Sequence, residues 1–208
     1  MRRLTSLTVV SLALAVLTNE AHAGGGLFVP PLRAELGSSV NAGPSGPYAS
    51  TDMSVGVHWA SLSPRRSAFD VGVGFTSSLG QDTYPQKVGP HATPRDQLAP
   101  ITASGGYLEL AARVRAGKHW RTWLGARGEL ATGERFGRQS SSVAASARLS
   151  TELFGGVAGG GGDGLVLGTF AIGLYVEAKY REYGDGAPGA SSLGAGVSGR
   201  LPLILVAR

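Results

Sequence analysis

Between residues 52 and 77 the chain holds two runs in which apolar and small or polar positions alternate one by one. Met53, Val55, Val57 and Trp59 alternate with Ser54, Gly56, His58 and Ala60; after Ser63, Pro64, Arg65 and Arg66, the residues Phe69, Val71, Val73 and Phe75 alternate with Asp70, Gly72, Gly74 and Thr76. A period of two is the signature of strands whose two faces meet different surroundings. The polar stretch between the runs predicts a tight turn, so the unit is a hairpin.

The same pattern recurs along the chain. A weak first strand over residues 31–38 alternates Leu32, Ala34 and Leu36 with Arg33, Glu35 and Gly37. Strand four sets Leu108, Leu110, Ala112 and Val114 against Tyr107, Glu109, Ala111, Arg113 and Arg115, and strand five sets Trp120, Thr122, Leu124, Ala126 and Leu130 against Arg121, Trp123, Arg127 and Glu129. Strand six carries Val143, Ala145, Ala147, Leu149, Thr151 and Leu153 on one face, with Ser146, Arg148, Ser150 and Glu152 on the other. Strand seven places Ile172, Leu174, Val176 and Tyr180 opposite Tyr175, Glu177, Lys179 and Arg181, and strand eight places Leu193, Val197 and Leu201 opposite Gly194, Gly196, Ser198 and Arg200. The apolar parity of strands four to eight carries no charge at all. The other parity gathers Glu109, Arg113, Arg115, Arg121, Arg127, Glu129, Arg148, Glu152, Glu177, Lys179, Arg181 and Arg200, with Asp70 on strand three.

The connections follow their own alternation. Polar loops are expected at residues 41–50, 79–103, 132–140 and 183–189, after strands one, three, five and seven, whereas the links after strands two and four read as tight. The Gly-rich stretch 155–164 after strand six fits this alternation poorly. Aromatics cluster where the tight turns lie: Trp59, Phe69, Trp120 and Phe154 are expected to form a girdle at one height, with a thinner upper girdle of Phe75, Tyr180 and Tyr48.

The N-terminus gives the compartment. Arg2 and Arg3 precede an apolar run over residues 7–17 and the small-x-small site Ala21-His22-Ala23, which reads as a Sec-type signal peptide, residues 1–23, cleaved after Ala23. An uncleaved anchor is disfavoured because the run falls short of the roughly 20 apolar residues that span a bilayer. Residues 24–30 form a short leader and residues 31–208 one β domain. The formal net charge of +5 and a pI near 9.9 would suggest nucleic acid in a cytosolic protein, but export argues against that partner. The chain has no Cys, which removes lipoprotein anchoring, disulfides and thiolate metal sites. Its 33 Gly and 11 Pro would suit a low-complexity segment, yet the glycines fall at alternate positions inside apolar runs.

Signal peptide, eight amphipathic strands, unequal connections and a charged second face together resemble the small bacterial outer-membrane β-barrel family, OmpA-like or porin-like, over residues 30–206. The resemblance implies an all-β fold, an up-and-down antiparallel transmembrane β-barrel of eight strands, monomeric in the outer membrane of a Gram-negative bacterium with membrane lipid as its partner. Many members end on an aromatic residue, whereas this chain ends Leu203-Ile204-Leu205-Val206-Ala207-Arg208. The competing reading is a secreted soluble β-barrel or sandwich with the apolar face packed inside. Runs of about 12–16 residues exceed the usual soluble strand and favour the membrane.

Function is less legible. An eight-stranded barrel is just wide enough for side chains to fill, so the inward charges are expected to form a paired plug. The first functional reading is a structural or surface-interaction barrel acting through its outer loops, with an extracellular ligand at 79–103; the alternative is a narrow ion-conducting pore. No catalytic, cofactor or metal site is expected. The letters of residues 194–199 match a dinucleotide fingerprint with no helix to follow, and residues 159–162 lack the Gly-Lys-Ser/Thr ending of a phosphate loop. His58 and Ser61 lie on opposite parities, and His91, Asp82, Asp96 and Asp185 read as solvated loop residues.

Overall fold

The computed structural model describes residues 30–43, 46–84, 97–135, 138–156, 169–186 and 189–201. The expected signal peptide, all but the last residue of the leader, and residues 202–208 lie outside them, as do residues 159–162, His91 and Asp96.

Eight strands follow one another: β1 (Leu32–Gly43), β2 (Gly46–His58), β3 (Phe69–Tyr84), β4 (Gln97–Ala116), β5 (Trp120–Arg135), β6 (Arg138–Gly156), β7 (Thr169–Tyr183) and β8 (Ala190–Leu201). Each pairs antiparallel with the next, and β8 returns to β1 along a ladder from Leu32↔Leu201 to Ala42↔Ser191. The result is a closed barrel in sequence order, all-β and up-and-down. Closure pairs both sides of every strand and removes the exposed edge that an open sheet would present. The stretch 194–199, which mimics a nucleotide fingerprint in letters, lies in β8 between β7 and β1.

Several strands outrun the apolar alternation that announces them. The weak first strand is a full member of the barrel, and β1 and β2 run on until only residues 44–45 join them. Only residues 136–137 separate β5 from β6, and the connector expected at 79–103 is largely strand on both sides, leaving residues 85–96, which lie outside the described residues. A ladder needs backbone donors and acceptors rather than apolar side chains. Stretches rich in Ser, Gly and Asn can therefore extend a sheet while reading as loops. The expected contrast of long loops at one end and tight turns at the other thus becomes, at the first end, a rim of extended hairpins.

The link between β2 and β3 also differs from the tight turn expected. Residues 59–68 fold back under the barrel. Trp59 N donates to Val71 O at 2.9 Å, Ala60 N to Asp70 Oδ1 at 3.0 Å and Ser61 N to Ser67 Oγ at 2.8 Å, and Ala60 and Ser67 are wholly buried. Only the β4–β5 link, residues 117–119, is short at this end, closed by Gly117 N donating to Trp120 O.

The barrel is inverted relative to a soluble protein. Among the described residues the buried apolar side chains are alanines, three tyrosines, Trp123, Ile101 and Pro31, while Leu36, Met53, Val73, Phe75, Leu108, Leu130, Leu149, Leu174 and Leu193 stand exposed. The buried polar set includes Arg33, Glu35, Glu109, Arg121, Arg127, Arg148, Glu152 and Arg200. Burial alternates strictly along β6, from Ser142 to Glu152, so each inward polar residue is flanked by outward apolar or small ones. Each strand therefore has a greasy exterior and an ionic interior.

Candidate functional site in the barrel interior

Three tiers of charge stack along the barrel axis. At mid-height two carboxylates are gripped by three guanidiniums. Glu35 and Glu109 both meet Arg33, at 2.8 and 2.9 Å, both meet Arg127, at 2.7 and 2.5 Å, and both meet Arg148, at 2.7 and 3.4 Å. Ser54 donates to Glu35 at 2.6 Å. Arg127 also lies over the Tyr107 ring at 4.2 Å and Arg148 over the Tyr175 ring at 3.7 Å. A guanidinium is planar, so it can hold carboxylates in its plane and rest on an aromatic face at once.

Toward the end closed by residues 59–68, Arg200 bridges Asp70 at 2.6 Å and Glu152 at 3.0 Å. Glu152 further accepts from Arg121 Nε at 2.7 Å and from Trp123 Nε1 at 2.9 Å. Arg121 lies between the Trp123 and Phe154 rings, 4.6 Å from each, and donates through Nη1 to Ser61 O at 2.6 Å. His58 completes the tier: its Nδ1 lies 3.0 Å from Asp70 and its Nε2 3.1 Å from the Tyr107 hydroxyl. Both ring nitrogens are thus engaged away from Ser61, whose Oγ accepts from Ser63 N. The folded-back link is tied to the interior through Arg121, and this end of the lumen is filled.

Toward the other end Glu129 meets Lys179 and Arg181, each at 2.9 Å, and Lys179 also lies 3.3 Å from Glu177. Above them lies a narrow polar cleft lined by Ser39, Asn41, Tyr48, Ser50, Asp52, Lys179 and Arg181. Ser39 Oγ donates to Asp52 at 2.8 Å, and Asn41 donates to Ser50 at 2.9 Å. A shallow polar vestibule therefore leads down to an ion-paired floor.

The charges balance. Arg33, Arg121, Arg127, Arg148, Lys179, Arg181 and Arg200 face the seven carboxylates of Glu35, Asp52, Asp70, Glu109, Glu129, Glu152 and Glu177. An unpaired charge in so dry a space costs several kcal/mol, so neutrality is what a filled lumen requires. Glycine makes the room for these long side chains. A Cβ at Gly56 would strike the Tyr107 hydroxyl, and one at Gly37 the Tyr175 hydroxyl.

Among the residues singled out from the sequence, Asp70, Glu109, Arg127, Glu129, Arg148, Glu152, Glu177, Lys179, Arg181 and Arg200 point into the lumen. Arg113 keeps the inward parity but lies at the rim, donating to Pro64 O at 3.3 Å. Arg115 does not face inward. A β-bulge between Arg113 and Arg115 pairs Arg113 with inward Trp123 but Arg115 with Thr122 of the outer face. One extra residue inverts the parity, and Arg115 stands exposed over the Trp120 ring, 5.7 Å from its centre. Phe154 likewise departs from the expected girdle. It follows the inward parity of Glu152, and its ring stacks on buried Arg121. Phe69 and Trp120 lie at the closed end, with Phe69 exposed beside Ala112 and Trp120 paired with outward Leu153, while Trp59 is half-buried at the start of the folded-back link. Arg121, His58 and Trp123 are buried on the inward parities the sequence gives them, and Arg33, Glu35 and Asp52 join the interior as well. For Arg33 and Glu35 the alternation of the weak first strand carries the signal.

A closed eight-stranded up-and-down barrel with an ionic lumen and an apolar exterior is the fold class of the small outer-membrane β-barrels. Among solved structures the chain is similar to Neisserial surface protein A, NspA, at 11% identity and a TM-score of 0.50, covering 83% of this chain and 96% of that one. A likeness at this identity is one of fold. The translocator domain of the autotransporter NalP from Neisseria meningitidis also aligns, at 12% identity over 93% of this chain and 95% of that one, but with a TM-score of 0.21. No protein-family model matches the chain, and no curated protein does.

Proposed function

We propose that the protein spans the outer membrane of a Gram-negative bacterium as a sealed barrel with a structural or surface-interaction role. The observation that carries this reading is the inversion itself. Leucines, valines and phenylalanines ring the outside, and arginines and glutamates fill the inside. In water that exterior would be a contiguous apolar patch far larger than a monomeric soluble protein tolerates. On β7 the apolar stretch occupies residues 170–180 and on β6 residues 143–153, which matches the 9–11 residues a tilted strand needs to cross the hydrocarbon layer. This disfavours the secreted soluble alternative.

The link at residues 59–68 and the tier of Arg121, Glu152, Arg200 and Asp70 fill one end of the lumen, which supports a sealed barrel over a narrow pore. Leu32 at the start of β1 and Leu201 at the end of β8 lie at that same end, together with the tight β4–β5 link, and by the usual layout this puts it on the periplasmic side with the vestibule facing outward. NspA is by its name a surface protein, and a surface role here would use the extended hairpin rim and the polar mouth.

Two measurements test the reading. The protein should fractionate with outer membranes and run faster on gels unheated than boiled, and recovery in a soluble fraction overturns it. In planar bilayers the purified barrel should give no steady conductance; reproducible channels that disappear on substituting Lys179 or Arg181 favour the pore.

A further inference from the structure

The closed end of the barrel is basic on its outer side. Arg65 and Arg66 stand exposed on the β2–β3 link, Lys118 on the β4–β5 link, and Arg115 on the outer face just above it. The two links are joined, since Arg65 Nε donates to Gly117 O at 3.4 Å and Arg113 reaches Pro64 O at 3.3 Å, so these cations form one patch. Among the described residues at this end no carboxylate stands outside the lumen. The opposite rim differs, because Glu134, Glu182 and Asp185 mix there with Arg138.

The patch adjoins the apolar belt. Arg115 is placed there by the bulge, which turns it out of the lumen and over Trp120, and Phe69 stands exposed on the neighbouring strand. Cations beside interfacial aromatics meet a bilayer at the depth of its headgroups, where aromatic residues settle. An acidic soluble partner would have no use for the adjoining aromatics and Leu153. The geometry points to a docking collar for anionic phospholipid, made by Arg65, Arg66, Arg115 and Lys118, in the leaflet that surrounds the closed end.

The collar rests on the membrane reading, and its chemistry is charge-assisted hydrogen bonding and electrostatic attraction to lipid phosphate at headgroup depth. Spin-labelled phosphatidylglycerol and phosphatidylcholine, offered to the full barrel reconstituted in phosphatidylcholine vesicles, measure selectivity for the boundary shell. The native chain should prefer phosphatidylglycerol about fivefold or more, and R65Q/R66Q/R115Q/K118Q should bring that ratio near one. The charge-keeping variant R65K/R66K/R115K should retain most of the preference. Inorganic phosphate in excess should leave the preference largely in place; its abolition would mean a site for free phosphate and overturn the collar. Equal preference in the native and glutamine variants would overturn it too, as would no preference in the native chain, the outcome expected if the patch served an acidic protein. Failure of the native chain to insert at all would instead strike the membrane reading, and the two failures are told apart by whether boundary lipid is seen.

Discussion

At the scale of single residues, stability is concentrated in a few shared ions. Glu109 is held by Arg33, Arg127 and Arg148, and replacing it by Gln keeps its shape while leaving three guanidiniums to share Glu35 and Glu177. Breaking a buried ion set by removing one partner costs about 3–5 kcal/mol, so Glu109→Gln should lower the urea midpoint in detergent micelles by a corresponding amount. Glu129→Gln should cost less than half as much, because its partners Lys179 and Arg181 lie 13% and 11% exposed at the mouth, where water can replace the lost carboxylate. Equal losses in the two variants would contradict the graded burial of the tiers. The glycines give a second test at this scale. Gly37→Ala should destabilise by driving a methyl into the Tyr175 hydroxyl, and Tyr175→Phe should relieve part of the loss, with a coupling of about 0.5–3 kcal/mol in a double-mutant cycle. Strict additivity of the two changes would mean the close approach is not what fixes Gly37.

At the scale of elements, the strands and their two faces are legible in the sequence because a period of two is local, and each of β4 to β8 repeats it on its own. What stays hidden is non-local or silent in the side chains. The end of β1 and the start of β2 include Asn41, Tyr48, Ala49 and Ser50, which read as a loop until the ladder with the neighbouring strand is present. The bulge at Arg113/Arg115 leaves no mark in the letters, so parity groups Arg115 with Arg200 although one lies outside and the other is fully buried. Arg200→Met should therefore cost about 3–5 kcal/mol by stranding Asp70 and Glu152, whereas Arg115→Met should stay within about 0.5 kcal/mol. Thermal unfolding of both variants in the same micelles measures the difference, and similar losses would restore the sequence parity. The ion pairs are invisible for another reason. Arg200 and Asp70 are brought together only when β8 closes onto β1, so their partnership belongs to the barrel rather than to either strand.

At the scale of the whole molecule, the exterior has to meet something apolar, and the interior is already neutral and filled. Charge placed on the belt is therefore the sensitive perturbation. Val73→Arg, on the exposed face of β3, should cost about 2–4 kcal/mol near the bilayer midplane and slow insertion into vesicles, an effect read by heat-modifiable mobility. Because the chain has no Cys, a single one can be introduced and labelled without interference. A fluorophore on Leu149→Cys, midway along the outward face of β6 and exposed on the barrel surface, reports directly what that face touches. In vesicles containing lipids brominated along their acyl chains its emission should be strongly quenched, while iodide in the water should have little effect. Strong quenching by iodide with none by the brominated chains would place the apolar face away from lipid and contradict a membrane-spanning barrel.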